Sequence, residues 1–92
     1  MAQRVIIPTP LRKFTEGAEQ IEISGAATLK ELIDRLDERC PGIRSGICDP
    51  SGELRRFINV YIDGEDVRFQ DELNTSLAHA TEITIIPAIA GG

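Results

Sequence analysis

The chain has no tryptophan, one histidine and two cysteines, and aromatic residues make up only 4% of its 92 positions. His79 is too solitary to anchor a cluster of soft metal ligands, and it leaves no material for a Ser/His/Asp or Cys/His constellation. Cys40 and Cys48 are separated by seven residues, a spacing that fits neither a C-x-x-C redox pair nor half of a zinc site. Positive charge is also scarce: ten Lys and Arg stand against fifteen Asp and Glu, a formal net charge of −5. The basic clusters are the pairs Arg12-Lys13 and Arg55-Arg56, so no concentrated cationic surface is available for nucleic acid or an anionic membrane. Long apolar runs are missing as well. Val5-Ile6-Ile7 falls short of the roughly 7–15 residues of a signal peptide, and nothing approaches the roughly 18 of a membrane span. The expected location is cytoplasmic. At 92 residues one core is all the chain can build, with little depth for an enclosed active site, which favours a carrier or binding module over an enzyme.

What is present is a set of short periodic segments. Val5-Ile6-Ile7, halted by Pro8 and Pro10, and Gln20–Ser24, with Ile21 and Ile23 on one face, read as strands joined by a turn-rich stretch. Thr28-Leu29-Lys30-Glu31 has the form of a capping box, in which Thr28 accepts from the Glu31 amide and Glu31 reaches back. From there Leu29, Leu32, Ile33, Leu36 and Cys40 trace one helical stripe, the remaining circumference is charged, and Pro41-Gly42 ends the helix. Cys40 is expected in the core. Residues 43–53 carry Gly46, Asp49-Pro50 and Ser51-Gly52 and read as an irregular connection.

Phe57–Ile62 alternates strictly, with Ile58, Val60 and Ile62 on one side. Asp63-Gly64 predicts a hairpin turn, with Val67 and Phe69 in a short return strand. Leu73 and Leu77 suggest one helical turn, and Glu82–Pro87 a final strand. Two strands, a helix and three further strands pack as an α+β roll, a mixed sheet with one main helix on one face. Asp63, Glu65 and Asp66 are solvated turn residues, because hard-metal sites need a longer spaced series of oxygen ligands.

After Pro87 come Ala88-Ile89-Ala90-Gly91-Gly92. The organisation expected is a folded domain over residues 1–87 and a flexible Gly-Gly tail over 88–92. Small residues cannot anchor that tail by burial, and at about 3.3–3.6 Å per residue it can carry a terminal carboxylate up to about 17 Å from the globule. Glycines without Cβ let a partner close tightly around the backbone. At an average glycine usage of about 7%, a terminal pair arises by chance in roughly one chain in two hundred.

The run Phe57-Ile58-Asn59-Val60-Tyr61-Ile62-Asp63-Gly64-Glu65-Asp66-Val67-Arg68-Phe69, followed by Ile83-Thr84-Ile85-Ile86-Pro87-Ala88-Ile89-Ala90-Gly91-Gly92, resembles the small ubiquitin-like β-grasp sulfur carriers of the ThiS/MoaD type. The connection Asp49–Arg56 looks most like the CysO-like branch, which supplies sulfur for cysteine synthesis. The resemblance implies that Gly92 is adenylated and converted to a thiocarboxylate. Ala90, Gly91 and Gly92 would enter the partner's active site. The partners implied are an adenylyltransferase/sulfurtransferase related to ubiquitin-activating enzymes and a sulfur-accepting synthase, with a PLP-dependent cysteine synthase as one candidate. The chain itself would bind no cofactor; ATP would be used by the activating partner.

Molybdopterin or thiamin synthesis are alternative destinations. A modifier joined to lysines through Gly92 is a second reading, and a non-covalent β-grasp interaction domain a third. In this family the turn before the last strand commonly reads Asp-Gly-Asp-Glu. Here it is His79-Ala80-Thr81-Glu82, and because Ala resists positive φ, a changed or strained turn is expected. Ile83 and Ile85 are assigned to the core. Ile86 then points outward with Pro87 and Ile89, with Val67 and Phe69 nearby, and this cluster resembles the hydrophobic docking face of β-grasp carriers. The competing placement puts Ile86 in a second small core beneath Pro8–Thr15.

Overall fold

A computed structural model describes residues 2–87. Its sheet has five strands in the order β2-β1-β5-β3-β4, with β1 Ala2–Ile6, β2 Gln20–Ser24, β3 Ile58–Ile62, β4 Glu65–Asp66 and β5 Glu82–Pro87. β1 and β5 run parallel at the centre, Val5 opposite Ile83, while every other neighbouring pair is antiparallel. β1 begins earlier than its apolar run because Ala2, Gln3 and Arg4 pair with Ser24, Ile23 and Glu22. Ile7 lies past the strand and is fully buried.

Helix α1, Leu29–Arg39, crosses one face of the sheet. Leu29, Leu32, Ile33 and Leu36 are buried, as the stripe predicts, and Cys40 closes the helix inside the core. Thr28 Oγ1 accepts from the Glu31 amide at 3.3 Å, and Glu31 reaches back to accept from the Ala27 amide at 3.4 Å, one residue before the position a strict capping box uses. Burial of each large aliphatic side chain contributes roughly 1.5–3 kcal/mol, so this stripe holds the helix on the sheet.

The expected irregular connection contains a second helix, α2, Ile43–Ile47. Its ends Ile43 and Ile47 are both fully buried. Asp37 Oδ1 accepts from the Gly42 and Arg44 amides at 3.1 and 2.9 Å, satisfying the start of α2 from the last turn of α1. Gly42 takes φ +100°, and a Cβ there would come within 3.0 Å of the Phe14 ring. At Gly46 a Cβ would meet Leu11 Cδ2 at 2.5 Å. The glycines that read as breakers are what let the 3-10 segment Thr9–Phe14 lie against α2.

Asp63 (φ 49°) and Gly64 (φ 89°) form the tight turn between β3 and β4, both in the left-handed region that a type I′ hairpin requires. The return strand is Glu65–Asp66, and Val67–Phe69 is instead a 3-10 turn capped by Asp66, whose carboxylate accepts from the Arg68 amide at 2.9 Å. Glu72–Asn74 forms a further 3-10 turn in place of the single helical turn expected across Leu73 and Leu77, and Leu77 is buried beyond it.

Before β5, Ala80 is buried and has no positive φ, so the turn is of a different kind without strain. Asp63 takes over there: its carboxylate accepts from Thr81 Oγ1 at 2.7 Å and from the Thr81 and Glu82 amides. These hydrogen bonds, led by that from the Thr81 hydroxyl, hold its carboxyl below the usual range. A carboxylate with a depressed folded-state pKa stabilises fully above its unfolded value of about 3.9, and that stability is lost as pH falls through the folded value. Asp63→Asn keeps a residue that tolerates positive φ but removes the charge. In thermal unfolding it is expected to lower Tm at pH 7 and to reduce the fall in Tm between about pH 5 and pH 2.

Candidate docking and modification site

β5 alternates cleanly: Ile83 and Ile85 are buried against the helices, while Ile86 is 42% exposed on the opposite face. There it lies beside Asn59 of β3 in the ladder, with Thr84 and Tyr61 as the next pair and Ile6 of β1 opposite Thr84. Arg4 and Glu82 form an ion pair of 2.7 Å across β1 and β5. The Thr9–Phe14 segment packs on α2, on the side of the sheet that carries the helices. Ile86 therefore does not lie in a second core beneath that segment.

The expected companions of Ile86 do not assemble as a group. Val67 is fully buried and belongs to the core, because the chain turns inward at the 3-10 segment instead of continuing as a strand. It is removed from the docking surface. Phe69 is 89% exposed but follows β4, so β3 separates it from β5. Pro87 is half-buried, pairs with Ile58 and ends the ladder. Ile89, Ala90, Gly91 and Gly92 lie outside the described residues.

Phe57, 57% exposed just before β3, was not singled out from the sequence as a surface feature. Its signal was an aromatic residue directly after the basic pair Arg55-Arg56. A groove of about 460 Å³ opens between these residues, Ile58 and Pro87.

Both cysteines are free and buried. Burial pushes the Cys48 thiol above its ordinary range, against the opposing pull of Arg44. Among the described residues no group of three or more His, Cys, Asp or Glu side chains is placed to hold a metal, and no helix is long and apolar enough to cross a membrane.

The ThiS family model matches residues 5–92, and the chain belongs to the ThiS family. Sulfur carrier protein CysO of Mycobacterium tuberculosis is 44% identical over 90 residues, 96% of each chain. A CysO chain in the crystal structure of the Amycolatopsis orientalis BexX/CysO complex superposes with a TM-score of 0.87 at 40% identity, covering 97% of this chain and 98% of that one. Small archaeal modifier protein 1 of Haloferax volcanii is 29% identical over 73 residues, 79% of each chain. The ubiquitin-like β-grasp is thus the fold of this chain.

Outward Ile86 and buried Val67 make opposite predictions for substitution. Ile86→Asp is expected to leave stability within about 0.5 kcal/mol of the parent, whereas Val67→Ala removes about 2 kcal/mol through lost burial and a cavity. Urea unfolding monitored by circular dichroism checks both.

Proposed function

We propose that this protein is a sulfur carrier, a cosubstrate rather than an enzyme, that delivers sulfur from a thiocarboxylate on Gly92, with cysteine synthesis as its destination. The observation that carries this reading is the 44% identity to Sulfur carrier protein CysO over 96% of both chains. Residues 1–87 form the folded unit, and 88–92 the segment that partners take up. Two buried free cysteines suit the reducing cytoplasm.

A free carboxylate lacks a leaving group, so the activating partner, of the ubiquitin-activating type, first uses ATP. A Gly92 carboxylate oxygen bonds to the α-phosphorus and pyrophosphate departs. Sulfide-level sulfur then attacks the acyl carbon, and AMP leaves with the electron pair of the broken C–O bond. The thiocarboxylate so formed is ionised at neutral pH and acts as the nucleophile towards a sulfur-accepting synthase, with a PLP-dependent cysteine synthase as the preferred class. This chain supplies the tail and the outer sheet face around Ile86 and Pro87, and no catalytic base. The 29% identity to Small archaeal modifier protein 1 favours, as a second reading, conjugation of Gly92 to lysines.

Intact mass spectrometry of protein from its native cell separates the readings. The carrier gains about 16 Da, oxygen replaced by sulfur, whereas the modifier appears as branched Gly-Gly on lysines of other proteins. Deleting Gly92 is expected to abolish adenylation while Tm stays unchanged; retained adenylation would refute the site. Thiocarboxylate formation should persist in the Cys40→Ala/Cys48→Ala variant, which folds with reduced stability because both side chains are packed in the core. A folded double variant that cannot be thiolated would move the sulfur chemistry to a cysteine persulfide.

A further inference from the structure

Several of the chain's cations are already matched. Arg4, Arg12, Lys30 and Arg44 each lie within 4.0 Å of a carboxylate. Lys13, Arg35, Arg39, Arg55, Arg56 and Arg68 have no such partner among the described residues, and of these Arg55, Arg56 and Arg68 are neighbours. Arg68 donates through Nη2 to the Arg55 carbonyl at 2.9 Å and through Nη1 to Asn59 Oδ1 at 2.5 Å, beside Ile86. Arg55 Nε donates to the Ser45 carbonyl at 2.7 Å. These contacts go to neutral acceptors and hold the Arg55 and Arg68 guanidiniums in place; the Asp49 carboxylate lies near Arg55 and offsets part of its charge, which leaves Arg56 and Arg68 as the cations without a carboxylate beside them.

Arg55 and Arg56 flank the groove of about 460 Å³ whose apolar walls are Phe57, Ile58 and Pro87. Asp49 also borders it, but its carboxylate accepts from the Ser51 amide, the Ser51 hydroxyl and the Glu53 amide and so faces its own loop. On a chain of net charge −5, this is a cationic, apolar spot at the foot of the segment that follows Pro87. Five residues span at most about 17 Å, so the entrance of a site that encloses Gly92 falls within reach of this groove.

We infer that the Phe57 groove docks the activating enzyme through an acidic entrance rim. An apolar side chain of that rim would insert between Phe57 and Pro87, and carboxylates beside it would face Arg55, Arg56 and Arg68. This rests on the sulfur-carrier reading. An arginine rim gives orientation and association rate more than raw affinity, and its effect weakens with salt.

The test measures ATP–pyrophosphate exchange by the activating enzyme of the same organism against increasing carrier concentration, at low and high salt. Arg55→Glu/Arg56→Glu is expected to raise KM by about 10–100-fold with kcat unchanged and to flatten the salt dependence. Phe57→Ser should raise KM by about 5–10-fold. Because Arg55 also holds the Ser45 carbonyl, Arg56→Glu alone is the variant least able to disturb folding; thermal unfolding checks each, and Arg56→Lys should restore most of the loss. Lys13→Glu/Arg35→Glu makes the same change in net charge away from the groove and should leave KM near that of the parent. A KM for the folded groove variants within twofold of the parent overturns the inference, as does an equal loss in the Lys13/Arg35 control. A defect seen only when the sulfur acceptor consumes the thiocarboxylate, or a dimer of this chain that Phe57→Ser dissolves, overturns the assigned occupant. Failure of the parent protein to be adenylated overturns the carrier reading, and the inference falls with it.

Discussion

The parallel pairing of β1 with β5 is the constraint on which everything else depends. Parallel neighbours cannot be joined by a tight turn, so the chain between Ile6 and Glu82 must travel away from the sheet and return. That excursion carries α1 and α2 across one face, adds β3 and β4 at one side, and reaches the middle of the sheet only at β5. Among the described residues, one face is covered by helices and the other carries none. On the proposed function a division of labour follows: the helix-covered side stabilises, and the side around Ile86, Asn59, Tyr61 and Thr84 is the one open to recognition.

The elements legible in the sequence are those with a strong local period. The alternation of Phe57–Ile62 and Glu82–Pro87, the stripe from Leu29 to Cys40 and the Asp63-Gly64 turn each encode their conformation within a few residues, and each appears in the structure within a residue or so. α2 was hidden because it is only five residues long and contains a glycine. Its stability comes from Ile43 and Ile47 in the core, from Asp37 satisfying its first amides and from close contact with Leu11, all of which are tertiary. Val67 misled for a related reason. Alternation with Phe69 suggested a strand, but the Asp66 cap turned the chain and drew Val67 inward.

The outward face of β5 was partly legible. The parity of β5 places Ile86 outward as soon as Ile83 and Ile85 are assigned to the core, and that parity holds. What parity cannot give is which side chains from other elements stand beside it. Phe69 is separated by a strand, while Phe57 and its arginines reach Pro87 only because Ile58 pairs with that proline. The departure at His79-Ala80 has a similar long-range explanation, since Asp63, 18 positions before Thr81, supplies the hydrogen bonds that shape the turn.

The central position of β5 also has a mechanical consequence. An enzyme that grips the chain beyond Pro87 pulls along the axis of β5, which is bonded to β1 on one side and β3 on the other. Such a load falls on both ladders in shear, so their hydrogen bonds must yield together instead of opening one after another, as they would along an edge strand peeled from its neighbour. On the sulfur-carrier reading, the load of each such encounter falls on the strand that best withstands being tugged.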